Sequence, residues 1–149
     1  MLFVEVSSDL KGKLSKDAVA QLVRQFTWWK SDPSRECESL VFGKDSGTVK
    51  PPVNGQPNVL RHCHLIPTDS HKRLAWELQF RRYQEKKASS KRTSDRYLHY
   101  VQDGDNRFLL IDIADDPGAH HMLMMTNKED RNRMNCYAKL AEDFIFGSC

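Results

Sequence analysis

A chain of 149 residues with 39% apolar and 29% charged side chains has the make-up of one domain spanning 1–149 that buries its own core, which disfavours a disordered or membrane-spanning polypeptide. The longest apolar runs, "LFV" and "FLLI", fall far short of a bilayer span, and the N-terminus lacks a basic segment followed by an apolar signal core, so the cytosol is the expected compartment. The net charge of +3 is unevenly spread: residues 71–92 hold eight basic and two acidic side chains, a local excess of +6 able either to hold phosphates or to form a solvated surface.

In chain order, "LFVEV" (2–6) reads as a short strand. In "SKDAVAQLVRQFTWWK" (15–30), Ser15 is a helix N-cap, and Val19, Leu22, Val23 and Phe26 form one apolar stripe, which predicts a core helix with Trp28 and Trp29 as packing residues. Residues 31–59 contain four prolines and three glycines and are expected to be mostly loop, too long to be idle. "LRHCHLI" (60–66) reads as a buried strand, and "SHKRLAWELQFRRYQEKK" as a helix from Ser70 without a clean apolar stripe. "YLHYV" (97–101) and "RFLLIDI" (107–113) form a predicted hairpin with Gly104 in the turn. From Asn127, the positions of Met134, Tyr137, Ala138, Ala141, Phe144 and Ile145 predict a closing helix. The sum is an α+β domain: a small, mainly antiparallel sheet packed against N-terminal and C-terminal helices.

Four cysteines, Cys37, Cys63, Cys136 and Cys149, are scattered without a CxxC pair, so reduced thiols are expected instead of a zinc ribbon or disulfide frame. The histidines are more informative. His62 and His64 alternate along one predicted strand and therefore share a face. Two imidazoles so placed suit packing, acid–base work or zinc, although a metal site needs at least a third protein ligand. "KRTSD" (91–95) precedes the next predicted strand, and "GAHHM" (118–122) follows the last one. Metal-free RNA cleavage requires a base, an acid and a cation that stabilises the phosphorane. Imidazole can serve as either of the first two near neutral pH, and arginine suits the third through its planar fork. The remaining readings are a non-enzymatic binding module, using Arg81, Arg82, Trp76 and Tyr83 against nucleic acid or protein, and a metal-dependent hydrolase built on His62 and His64.

Seven collinear pieces, "LVRQFTWWKSD", "VFGKDSG", "LRHCHL", "KRTSDRYLHYV", "FLLIDI", "DPGAHH" and "MNCYAKLAEDF", together resemble the YafO family of type II toxins, small mRNA interferases of bacterial toxin–antitoxin pairs. The resemblance implies a ribonuclease domain needing no cofactor and no metal, which cleaves mRNA on the translating ribosome and is restrained by an antitoxin protein encoded beside it. Carried over residue by residue, it implies catalytic roles for His62, His64, Arg92, Asp95 and His120, with one of the first pair and His120 as base and acid in either order. Arg92 would stabilise the phosphorane, and Asp95 would orient a histidine or Arg92. RNA contacts are expected from Lys44, Arg81, Arg82, Lys91, Thr93, Ser94, His99 and His121. In "VFGKDSG", Phe42, Gly43, Lys44 and Asp45 would form a structural turn or a phosphate contact. His99 stands one place later than the family's pattern suggests, which in a strand reverses the face it occupies.

Overall fold

The computed structural model describes residues 1–86 and 91–147. Cys149 and Lys87 therefore lie outside the described residues. Strand β1 (Phe3–Val6) leads into a short helix α1 (Ser8–Lys13) and the longer α2 (Lys16–Lys30). After a single 3-10 turn come β2 (Phe42–Gly47), β3 (Leu60–Leu65), α3 (Ser70–Lys86), β4 (Tyr97–Asp103), β5 (Arg107–Ala114), α4 (Ala119–Met122) and α5 (Lys128–Phe146). The sheet order is β1-β5-β4-β3-β2, antiparallel throughout except where β1 runs parallel to β5.

Local chemistry accounts for the long helices. Ser15 and Asn127 accept hydrogen bonds from the backbone N–H groups of Ala18 and Asp130, capping α2 and α5, and acidic residues occupy both first turns. The apolar stripe of α2 then buries Leu22, Phe26 and Trp29. Trp29 stacks on Phe42 at 4.6 Å, whereas Trp28 stays half exposed beneath the Arg35 guanidinium.

Side-chain alternation divides the core into two layers. Leu98, Tyr100, Phe108, Leu110, Cys63 and Leu65 meet α1 and α2 on one face of the sheet. Tyr97, Val101, Ile111 and Leu60 meet α4 and α5 on the other, through Met122, Met134, Tyr137 and Ala141. His62, His64 and His99 share the second face, and register pairs His62 with His99 across β3 and β4.

Two elements depart from the sequence reading, and a third agrees with it. Part of the 31–59 region is strand β2, whose irregular pairing with β3 between Phe42 and Asp45 hides its period. The stretch after the first strand forms α1, capped by Ser7, which accepts from the Leu10 N–H. The segment around Trp76 is the helix expected from Ser70, and its weak stripe is compensated by anchoring contacts: Trp76 is buried, and Tyr83 donates to Glu38. Cys37, Cys63 and Cys136 are free thiols. Among the described residues, no helix is long and apolar enough to cross a membrane.

Candidate active site

On the α5 face of the sheet, an open cleft of about 670 Å³ is bounded by β2, β3, the segment before β4, and α4. It brings together His62, His64, Asp95, His120, Lys44, Thr93, Ser94 and His121 from four separate stretches of chain. Alternation along β3 delivers the first two imidazoles, with ring centroids 6.4 Å apart. Their Nδ1 atoms are engaged by the protein. That of His62 lies 2.7 Å from Thr48 Oγ1, and that of His64 lies 2.8 Å from both the carbonyl oxygen and the amide nitrogen of Ser94. Which Ser94 group is satisfied depends on the tautomer; in both rings Nε2 remains as the second proton-carrying position.

Burial disfavours charge on both rings. It pushes His62 down to about 4, helped by the neighbouring His64, and lowers His64 against the opposing pull of the Ser94 backbone. Both are therefore neutral at pH 7.

Tyr97 joins the two halves of the site. Its ring lies 5.0 Å from His62 and 4.6 Å from His64, and its hydroxyl is 3.1 Å from Nδ1 of His120. Burial, then Asp95, raises the phenol to about 12, so it remains protonated and able to donate or accept. Asp95 fixes the His120 segment from below, accepting from the backbone N–H groups of Gly118 and His120, each at 2.7 Å. Lys44 reaches the cleft because its backbone N–H donates to the Arg92 carbonyl, 2.8 Å away. His121 lines the rim, with Nε2 3.2 Å from Thr126 Oγ1.

The structure does not bring Arg92 to this cleft. Its side chain is fully buried between the rings of Trp76 and Phe80, at 4.8 and 4.7 Å. It donates to the carbonyl oxygens of Leu40, Phe42 and Ser39. Burial lowers it to about 10, which leaves it charged at neutral pH. A guanidinium enclosed in this way, with Nη1 and Nη2 on backbone carbonyls and Nε without a partner, grips the chain instead of a phosphate.

His99 is likewise enclosed, with neither ring nitrogen hydrogen-bonded, behind His62 and 4.8 Å from the Tyr137 ring. Burial pushes it down to about 3. Arg81 and Arg82 are exposed on α3, and Lys91 is exposed before β4; none of the three lines the cleft. Trp76 is buried and donates to the Leu40 carbonyl, so it offers no stacking platform for the binding-module reading.

Gly43 and Asp45 are structural. A methyl at Gly43 would collide with the Arg92 carbonyl and the Trp76 ring, and the Asp45 carboxylate accepts from Tyr100 and Lys30. Among the described residues, no three His, Cys, Asp or Glu side chains are grouped as a metal site.

Sequence reasoning missed Tyr97 and Thr48 as partners of the imidazoles, and Ser46 as a lining residue of the cleft. For Tyr97 a signal existed, since alternation with His99 in "YLHYV" places both on the histidine face.

No curated protein and no solved structure matches the chain. A family model described as toxin YafO, of a type II toxin–antitoxin system, matches residues 27–146. That span contains every residue lining the cleft. The chain belongs to the YafO family of type II toxin–antitoxin toxins.

Proposed function

We propose that this toxin is a metal-independent endoribonuclease that cleaves mRNA on the translating ribosome and so stops translation and growth. The observation that carries the reading is the convergence of His62, His64, His120 and Lys44 on one open cleft, with the Nδ1 atoms of all three imidazoles engaged by protein groups. RNA carries its own nucleophile, the 2′-hydroxyl, so transfer of two protons and stabilisation of one developing charge suffice for cleavage.

His64 is the better base of the strand pair. His62, held down at about 4, is a weaker proton acceptor than its less perturbed neighbour. The 2′-hydroxyl proton passes to His64 Nε2 as the 2′-oxygen bonds to phosphorus. The bond from phosphorus to the 5′-oxygen breaks, and His120 supplies the proton to that leaving oxygen. Tyr97, against both imidazoles, holds His120 in register for this transfer. Lys44 takes the charge-stabilising role that the sequence suggests for Arg92. The products are a 2′,3′-cyclic phosphate, which water can open to a 3′-phosphate with the proton roles reversed, and a 5′-hydroxyl.

A weak grip on RNA supports dependence on the ribosome. Among the described residues, Lys44 is the one Lys or Arg that lines the cleft, and it is offset by Asp95, so few condensed counterions are released on binding and a second holder of the RNA fits the reading. The test is cleavage of a defined message by wild type and by His64→Ala, His120→Ala and Lys44→Ala variants, with and without translating ribosomes and chelator. New 5′-hydroxyl ends from wild type, abolished in the histidine variants and indifferent to chelator, are expected. Ends bearing 5′-phosphate, or folded histidine variants as active as wild type, overturn the reading.

A further inference from the structure

The two edges of the sheet are treated differently. At β2, the backbone N–H of Lys44 is already paired with the Arg92 carbonyl. At β1, the amides of Phe3 and Ser7 donate inward to the Asn106 and Leu110 carbonyls of β5 and the turn before it, so the alternate residues, Val4 and Val6, turn their N–H and C=O groups to the free side. An edge of this kind is a template for another strand, and β1 carries neither lysine nor proline to guard it, with Glu5 its single charged residue.

The edge also lies at the floor of a slot. Two stretches of groove, about 610 and 470 Å³, share Val4, Glu5 and Val23 and together run the length of β1. One wall is the α2 stripe of Val19, Val23 and Thr27, one turn apart; the other is Leu140 and Phe144 on α5. All five are only partly buried. Helices thus flank both faces of the position beside β1 that a further strand would occupy.

We infer that this slot receives an extended segment of the protein antitoxin, which adds a sixth strand beside β1 with apolar side chains directed alternately to the α2 and α5 walls. The slot selects its occupant by main-chain pairing and by two apolar walls. RNA lacks the first requirement and is ill suited to the second. A second copy of this chain fits poorly, because its own β1 is flanked by the same two helices, which would meet the walls before the edges could pair. The family membership supplies a protein partner of the required kind, and the inference is independent of what the histidine cleft does.

The test uses the full chain and the protein encoded by the adjacent gene. Amide hydrogen exchange at Val4 and Val6 is expected to slow at least a hundredfold in the complex, and Val23→Asp to weaken the complex at least tenfold while the unfolding midpoint of the free toxin is retained. Protection confined to the cleft or to α3, or Val4 and Val6 amides already protected in a self-associated free toxin, overturns it. Should Val23→Asp fail to fold, exchange on the wild-type complex decides alone.

Discussion

Both carboxylate oxygens of Asp95 are engaged with the backbone that carries His120, one on the His120 N–H and the other on the Gly118 N–H, each at 2.7 Å. In the proposed mechanism Asp95 is thus a positioning residue, acting through the placement of the imidazole. Charge-assisted bonds of this type contribute roughly 1.5–3 kcal/mol each. In Asp95→Asn one oxygen is replaced by an NH2 group that faces another donor, so turnover is expected to fall roughly tenfold or more, with little change in RNA affinity. Single-turnover cleavage beside RNA binding checks this; an equal loss in affinity would place Asp95 in direct contact with RNA.

Arg92 belongs to stability. Its guanidinium satisfies three carbonyls between two aromatic rings, and lysine cannot reproduce that fork. Arg92→Lys is expected to lose roughly 3 kcal/mol or more of unfolding free energy, since buried carbonyls left without donors cost about 1–3 kcal/mol each. Urea denaturation measures it. A variant as stable as wild type yet inactive would return Arg92 to the chemistry.

Tyr97→Phe separates packing from hydrogen bonding. The ring that rests against His62 and His64 is retained, and only the hydroxyl at His120 Nδ1 is removed. Cleavage is expected to slow about tenfold, the weight of one hydrogen bond, while stability changes by about 1 kcal/mol. Parallel cleavage and thermal-unfolding measurements distinguish this from general loosening, in which both would fall together.

The buried histidines predict acid sensitivity of a definite sign. His99 and His62 are held at about 3 and about 4, against an ordinary 6.5, so below pH 6.5 the unfolded chain binds more protons than the folded one. Stability from this source is present above pH 6.5 and falls as the pH drops toward the folded values, by roughly 2 kcal/mol per residue at pH 5. His99→Leu also removes two unpartnered nitrogens. Its denaturation free energy is expected to drop roughly 2 kcal/mol less than that of wild type between pH 7 and 5; identical drops would show that His99 is not held neutral by the fold.

Much of this site is legible in the residues. Strand alternation alone puts His62 and His64 on one face, and the capping residues and apolar stripes locate α2 and α5. Arg92 was misleading for a physical reason. "KRTSD" reads as a solvated polar run, and nothing in its composition reveals that Trp76 and Phe80, more than ten residues earlier, close over the guanidinium. Strand β2 was hidden because "FGKDSG" lacks β-branched residues and its register is broken. The parallel pairing of β1 with β5 joins residues about a hundred positions apart, a separation no local periodicity encodes.

Lys44 enters the cleft on a backbone tied to the carbonyl of Arg92, the same residue whose side chain holds residues 39–42 under α3. The cation of the proposed mechanism therefore has its foundation in a packing cluster away from the histidines. Bacteria selected to survive induction of this gene would be expected to carry lesions of two kinds. Some would strike the imidazoles, and others would strike Gly43 or Trp76, where loss of the foundation disarms an otherwise intact set of reacting groups.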